Sequence, residues 1–338
     1  MYLTTPNTKI KNAMKKIKTI FKKIPLFGKV ILILILIIML GKIYLNSKHS
    51  ASKYFTDKKV IALCKAAKRG DTKKIDKLLK EGVDINTVGR TGLNPLYWLF
   101  VMTPDSKKKR IGFKYLLEKG ASPTQVHTKT HWNLIHTTSR YKDSYYLKTI
   151  LESGHLKPGD LDIEIEGDGW PLALMQATLA DRMDNFKLLL DHGASMDKWR
   201  EPLTGRTLLT SVCGGGDWKY AYELLLRGVD YTVKGPDETE PYIIRAIAGP
   251  RYWPSGGFAD AIDYRQKCVE FLRKKGVEVH PWMPEGEKYI TENGEDVLYI
   301  KENGQWVKYK ESEKYEKKKQ EEENQSWLQK WIYKKFYE

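Results

Sequence analysis

Cysteine is scarce in this chain: Cys64, Cys213 and Cys268 are the three in 338 residues. No two of them stand in a C-x-x-C pair, which excludes a disulfide framework and a thiolate metal knot. Also missing are a Gly-x-Ser-x-Gly elbow, a Gly-x-x-x-x-Gly-Lys phosphate loop and a His-Glu-x-x-His pair. Their absence removes the familiar frames for acyl transfer, phosphate binding and zinc hydrolysis. A third shortage is net charge where a nucleic-acid-binding domain would need it. The whole chain carries +16, but residues 1–59 hold thirteen Lys against one acid, Asp57. Only +4 is left for the other 279 residues. No phosphate-tracking surface follows, so nucleic acid is not an expected partner, and neither a cofactor nor a metal is expected.

What is abundant at the N-terminus has a plain physical use. Eight Lys lie between Lys9 and Lys29, ahead of the unbroken apolar run Val30–Gly41. Twelve residues of helix reach about 18 Å, short of a hydrocarbon core about 30 Å thick. Extended to Ile24 and Leu45 the segment is long enough to cross, with Lys29 and Lys42 reaching the two interfaces. The alternative is a cleaved secretory signal, for which Ser50-Ala51-Ser52 offers a weak cleavage site. The expectation is a single-pass anchor over 24–45. The basic arm 1–29 would be cytoplasmic, and everything after Leu45 would lie across an inner membrane, in the periplasm.

Beyond residue 57 one phrase keeps returning. LLKEGVDIN from Leu78, LLEKGASP from Leu116, ILESGHLKP from Ile150, LLLDHGASMD from Leu188, LLLRGVDYT from Leu224 and FLRKKGVEV from Phe271 share a leucine stripe and a glycine. The glycines are Gly82, Gly120, Gly154, Gly193, Gly228 and Gly276, spaced by 38, 34, 39, 35 and 48. Apolar residues on one face predict a helix, and the glycine predicts the left-handed residue that ends it. Downstream of four of these glycines comes a second phrase: GLNPLYW from Gly92, WNLIHTT from Trp132, GWPLAL from Gly169 and GRTLLTS from Gly205. Its Asn or Thr suits a helix cap and its proline a first turn. Periods of this length mark stacked repeats.

These two phrases resemble the ankyrin repeat, over roughly residues 57–280, as about six units with the last one loose. The usual Gly-x-Thr-Pro-Leu-His phrase is degraded: Tyr97, Ala173 and Thr210 stand where histidine is common, and only His136 keeps it. The resemblance implies an all-α solenoid with short finger hairpins, built for protein–protein contact and without catalysis. Carried over residue by residue, the family's contact positions hold Arg90, Trp98, Trp132, Trp199 and Arg206. Insertions at Thr103–Arg110 and Gly249–Gly257 are expected on surface loops, and Tyr252 and Trp253 at the tip of the second join the candidate contacts. His127, His131 and His136 come nearest to a metal cluster, but the first two fall in a finger and the third in the cap phrase. Gly214-Gly215-Gly216 falls in a turn between helices.

After the repeats the period changes to that of strands. Residues 288–310, broken by Asn293-Gly294 and Asn303-Gly304, predict a three-stranded meander within 281–310, a cap on the last repeat. Residues 311–338 predict a charged helix with Trp327, Leu328, Trp331, Ile332 and Phe336 on one face, packing on the meander or meeting a membrane or partner. The order of parts resembles bacterial membrane-anchored ankyrin-containing immunity proteins, which neutralise effectors of type VI secretion, including phospholipases. That resemblance implies a protein that binds and occludes a lipase-like effector toxin. The alternatives are a membrane-tethered scaffold for an envelope complex and an enzyme with an unrecognised site in 281–338.

Overall fold

The computed structural model describes Pro25 and residues 49–320, except 203, 235–239, 250–260, 282–284, 286, 293–294, 304, 314 and 318. The expected anchor over 24–45, the tip residues Tyr252 and Trp253, and the apolar face of the C-terminal helix lie outside the described residues. No described helix is long and apolar enough to cross a membrane.

Helices come in pairs: α1 (Lys58–Arg69) with α2 (Thr72–Lys80), α3 (Pro95–Met102) with α4 (Lys107–Glu118), and α5 (Leu134–Ser139) with α6 (Tyr145–Leu151). Then follow α7 (Ala173–Leu179) with α8 (Met183–Asp191), α9 (Leu208–Gly215) with α10 (Trp218–Leu226), and α11 (Tyr242–Ala248) with α12 (Ala261–Lys274). First helices touch first helices, α1 on α3, α5 on α7 and α9 on α11. Second helices touch second helices, α4 on α6, α6 on α8 and α10 on α12. Each unit thus buries its leucine stripe against its neighbours, in one continuous apolar cluster from Ala51 to Val279. Stability is shared along such a stack rather than held in a centre. The packed region starts at Ala51 and Phe55, a little before the expected boundary at 57.

The recurring glycine does what its place in the phrase predicts. Gly82, Gly120, Gly154, Gly193, Gly228 and Gly276 all have φ between 73° and 90°. A Cβ at any of them would meet nothing within 4 Å, so only the left-handed backbone selects glycine there. Gly112 is different. A Cβ on it would lie 1.9 Å from the Ala67 carbonyl oxygen, so this glycine lets α4 approach α1.

Caps start the helices as the second phrase suggests. The side chains of Asn94, Asn133 and Thr207 accept hydrogen bonds from the backbone N–H three residues on, opening α3, α5 and α9. The fingers between pairs are not strand hairpins. Each is a tight loop closed at its base by one backbone bond: Gly89 N–H to Leu93 C=O, His127 to Trp132, Ile165 to Pro171 and Glu201 to Arg206. Adjacent units are laced beside the fingers. Ser122 N–H donates to Asn86 Oδ1 at 2.7 Å, Ser195 N–H to Asp162 Oδ1 at 2.8 Å, and Asp230 N–H to Asp197 Oδ1 at 3.2 Å.

The surface loop expected at Thr103–Arg110 is found only in part: Pro104 and Ser106 to Lys108 are exposed, but the loop ends at Ser106 and Lys109 is buried. Thr103 ends α3, Ser106 caps α4, and Lys107–Arg110 are the first turn of α4. Lys109 is 2% exposed. Its ammonium donates to the carbonyls of Phe100 and Thr103, both at 2.8 Å, and lies 5.1 Å from the ring centroids of Phe100 and Tyr146. Arg110 bridges Asp105 and Asp143, each at 2.5 Å, and the Tyr146 hydroxyl donates to Asp105. Aromatic surface and two carbonyls hold Lys109 down where composition alone suggested solvent.

At the C-terminal end β1 (Glu287–Glu292), β2 (Glu295–Glu302) and β3 (Gln305–Lys308) form an antiparallel meander in the order β1-β2-β3. Glu292 faces Glu295 and Glu302 faces Gln305, so only two residues separate the paired strand ends at each connection. Leu298, Ile300 and Tyr309 form its own small apolar cluster. Lys310 ties it to α12 through Asp263 at 2.7 Å. Between α12 and the meander lies a cleft of about 350 Å³, lined on one side by Gln266, Lys267 and Glu270 and on the other by Tyr289 and Lys308.

Candidate protein-binding face

The finger side carries the candidate contact residues, and the structure sorts them. Arg90 is exposed at the first finger, where its N–H bonds the Tyr54 carbonyl at 2.8 Å. Trp98 is 2% exposed and Trp199 6% exposed, so both rings fill space between non-consensus units and are withdrawn from any contact surface. Trp132 and Arg206 are half-buried.

Around Trp132 and Arg206 the structure assembles residues that the sequence phrase did not single out. The Arg140 guanidinium, at the end of α5, lies 5.5 Å from the Trp132 ring centroid. Its Nη1 donates to Gln176 Oε1 at 2.6 Å. The Gln176 amide, on α7, in turn donates to the Trp170 carbonyl at 2.7 Å. One residue earlier, the Gly169 carbonyl receives a 3.5 Å bond from Arg206 Nη2. Trp132, Arg140, Gln176, Trp170 and Arg206 are therefore one linked group spanning three repeat units. A signal for Trp170 was present: it occupies the position where Asn94, Asn133 and Thr207 cap their helices. Tryptophan cannot cap, and α7 accordingly begins only at Ala173, without a side-chain cap. A local rule broken at a half-buried tryptophan is where function is to be sought.

The three histidines have separate structural duties. The His127 Nδ1 accepts from Thr130 N–H at 3.3 Å inside its finger. His131, at φ 57°, pairs with Glu166 at 2.8 Å across two fingers. His136 accepts Asn133 N–H on Nδ1, so its Nε2 carries the proton and donates to the Ile163 carbonyl at 2.8 Å. Burial holds its pKa below the usual histidine range. Thr210, in the same place one repeat later but one, closes the same capping box on Thr207. Among the described residues no three His, Cys, Asp or Glu side chains gather as a metal site. Cys64, Cys213 and Cys268 are buried and free, and burial pushes each thiol up, away from reactivity. Gly216 is the left-handed cap of α9, so the glycine run ends a helix.

The repeat geometry is that of an ankyrin-type solenoid. Solved structures similar to this chain include the ankyrin repeat domain of Bcl-3, a member of the IkappaB protein family, at 17% identity and a TM-score of 0.44, covering 60% of this chain and 96% of that one. The human ASB11 ankyrin repeat domain is similar at 17% identity and a TM-score of 0.38, covering 62% and 82%. EF0377, an ankyrin repeat protein, is similar at 21% identity and a TM-score of 0.44, covering 64% and 98%. No protein-family model and no curated protein matches the sequence.

Proposed function

We propose that the chain is a binding protein whose finger side holds another protein, with no catalytic step of its own. The observation that carries this reading is the linked group Trp132–Arg140–Gln176–Trp170–Arg206. It offers two half-buried indoles and two arginines on rigid supports, the residue types that dominate binding hot spots. The finer reading is a protein anchored in an inner membrane by residues 24–45 that displays the stack in the periplasm. There it would act as an immunity protein, occluding the active-site mouth of a lipase-like secreted effector. What supports this is the order of parts: a lysine-rich arm, an apolar run, then a repeat stack. A membrane-tethered scaffold uses the same face, with an envelope component as its partner.

The test is capture of the partner from the native cell by the full-length chain, compared with Trp132→Ala and Trp170→Ala. Loss of at least about thirtyfold in affinity in either variant, with an unchanged melt, is the expected outcome. Equal capture by both variants places the contact surface elsewhere. A phosphatase active only outside the cytoplasm, fused after Glu338, addresses the orientation. An inactive fusion reverses the topology and removes the effector reading.

A further inference from the structure

Four arginines of this protein form two contrasting pairs by what their guanidinium touches. In the second-helix layer Arg110 bridges Asp105 and Asp143, and Arg227 bridges Asp191 and Glu223. On the finger side, Arg140 and Arg206 meet no carboxylate among the described residues. Arg140 makes one hydrogen bond, to an amide oxygen, and rests on Trp132. Arg206 makes one long bond to a backbone carbonyl, and its Nε is buried with no partner at all. A guanidinium has five N–H donors in a planar fork that matches a carboxylate, so most of the donor capacity of both residues is unused. Both forks flank the same short segment, Gly169-Trp170, and are held there by Gln176 and by the Gly169 carbonyl.

We propose that this pair of arginines receives carboxylate side chains from an acidic segment of the partner protein, with Trp132 and Trp170 stacking on the residues between them. The inference rests on the binding reading above and adds the chemistry of the partner. The anion is a spaced carboxylate rather than an uninterrupted polyphosphate, because Glu164 and Glu166, the latter already paired with His131, stand exposed on the finger that carries Gly169 and Trp170. A nucleic acid laid along this face would bring its phosphates against them, whereas a peptide with isolated acids avoids them. Arg206 is half-buried with its Nε out of water, so a pairing there contributes more than a surface ion pair does, whereas Arg140 is exposed and supplies a charge steadied by Trp132.

The experiment uses the full-length chain in detergent micelles and fluorescence anisotropy with labelled peptides. One series alternates Glu or Asp with Tyr and Leu. A second replaces each acid by its amide, a third carries phosphoserine, and a single-stranded oligonucleotide completes the set. The acidic series is expected to bind at least about tenfold more tightly than the amide series, and Arg140→Gln or Arg206→Gln to erase that difference. Arg140→Lys, which keeps the charge and loses the fork, is expected to recover it only in part. Arg227→Gln, on the paired face, should leave binding unchanged. Equal binding of the acid and amide series, retention of the preference in both glutamine variants, or tighter binding of the phosphoserine peptide or the oligonucleotide overturns the proposal. If it fails while Trp132→Ala still abolishes partner capture, the binding reading stands and only the acidic chemistry is lost.

Discussion

The second-helix layer and the finger side each carry a pair of arginines, Arg110 and Arg227 in the one and Arg140 and Arg206 in the other, and treat them in opposite ways. In the second-helix layer, charges are joined across repeat boundaries: Lys119 to Asp76 at 3.1 Å, Lys187 to Glu223 at 3.4 Å, Arg227 to Asp191 at 2.8 Å, and Lys219 to Asp181. Even the one lysine taken out of water, Lys109, finds two carbonyls and two aromatic rings. On the finger side, Arg140 and Arg206 lean on Trp132 or a backbone oxygen and meet no acid. Pairing in one layer serves the stack, since a solenoid is stabilised only through nearest neighbours. Finger-side charges pair in places, His131 with Glu166 and Lys198 with Asp162, but the forks of Arg140 and Arg206 do not, and they are left as donors for something that is not this chain. The difference lies in which side of the helix pair a residue occupies.

If the contrast is real, removing a residue from the second-helix layer must cost stability. Lys109→Ala is expected to cost the most, about 3 kcal/mol, from a cavity between two rings and two carbonyls left without a donor. Thermal melts of wild type and variant measure it. Burial lowers the Lys109 pKa to about 8, below its unfolded value near 10.5. The unfolded chain therefore binds more protons between those pH values, and stability should rise as pH climbs from about 8 to about 10.5. Lys109→Met should lack that rise. A melt of Lys109→Ala matching wild type would show that the layer does not depend on its buried cation.

A smaller effect is expected at Asp217, a half-buried acid ahead of α10 that makes no salt bridge among the described residues. Burial, reinforced by the charge of Asp181 and opposed by Lys219, pushes its carboxyl up to about 6. A folded-state value above the unfolded one means that the native chain holds the proton more tightly. Stability should then fall as pH rises from about 4 to about 6. Asp217→Asn, which imitates the protonated acid, should be more stable than wild type above pH 6 by about 1 kcal/mol and equal to it below pH 4. Denaturant titrations at the two extremes decide it, and a variant less stable at both would show that the ionised carboxylate is favoured in place.

The smallest expected change is on the finger side. Arg140→Gln and Arg206→Gln should move stability by less than about 0.5 kcal/mol while they reduce partner binding. A loss of stability comparable to that of Lys109→Ala would erase the comparison, because both faces would then be structural.

Much of this was legible beforehand, for reasons that can be named. The six turn glycines were readable because a left-handed backbone has few other occupants, and the caps because Asn and Thr bond their own helix start. The two Asn-Gly pairs located the inner ends of the strands, while the outer ends shifted by one or two residues. Trp98 and Trp199 misled because an indole looks the same in a one-dimensional phrase whether it faces a partner or fills a gap beside an imperfect repeat. Thr103–Arg110 misled at Lys109, for the converse reason. Four basic residues in a row suggest solvent, and nothing in the run announces that Phe100 and Tyr146 will enclose Lys109. Arg140 and Gln176 could not be found from the phrase at all, since neither stands at a family contact position.

Secondary structure, repeat length and the two-layer plan were determined by the sequence alone, because each depends on interactions within a few residues or on a period that recurs. Which tryptophan is covered, which lysine is buried and which arginine finds an acid was decided only in the tertiary structure. Those outcomes depend on side chains brought together from different repeat units: Arg140 reaches Gln176 across one boundary, and Arg206 reaches Gly169 across the next. Local periodicity specifies that such units stack, but the identity of the neighbour above and below sets what each exposed or buried position becomes.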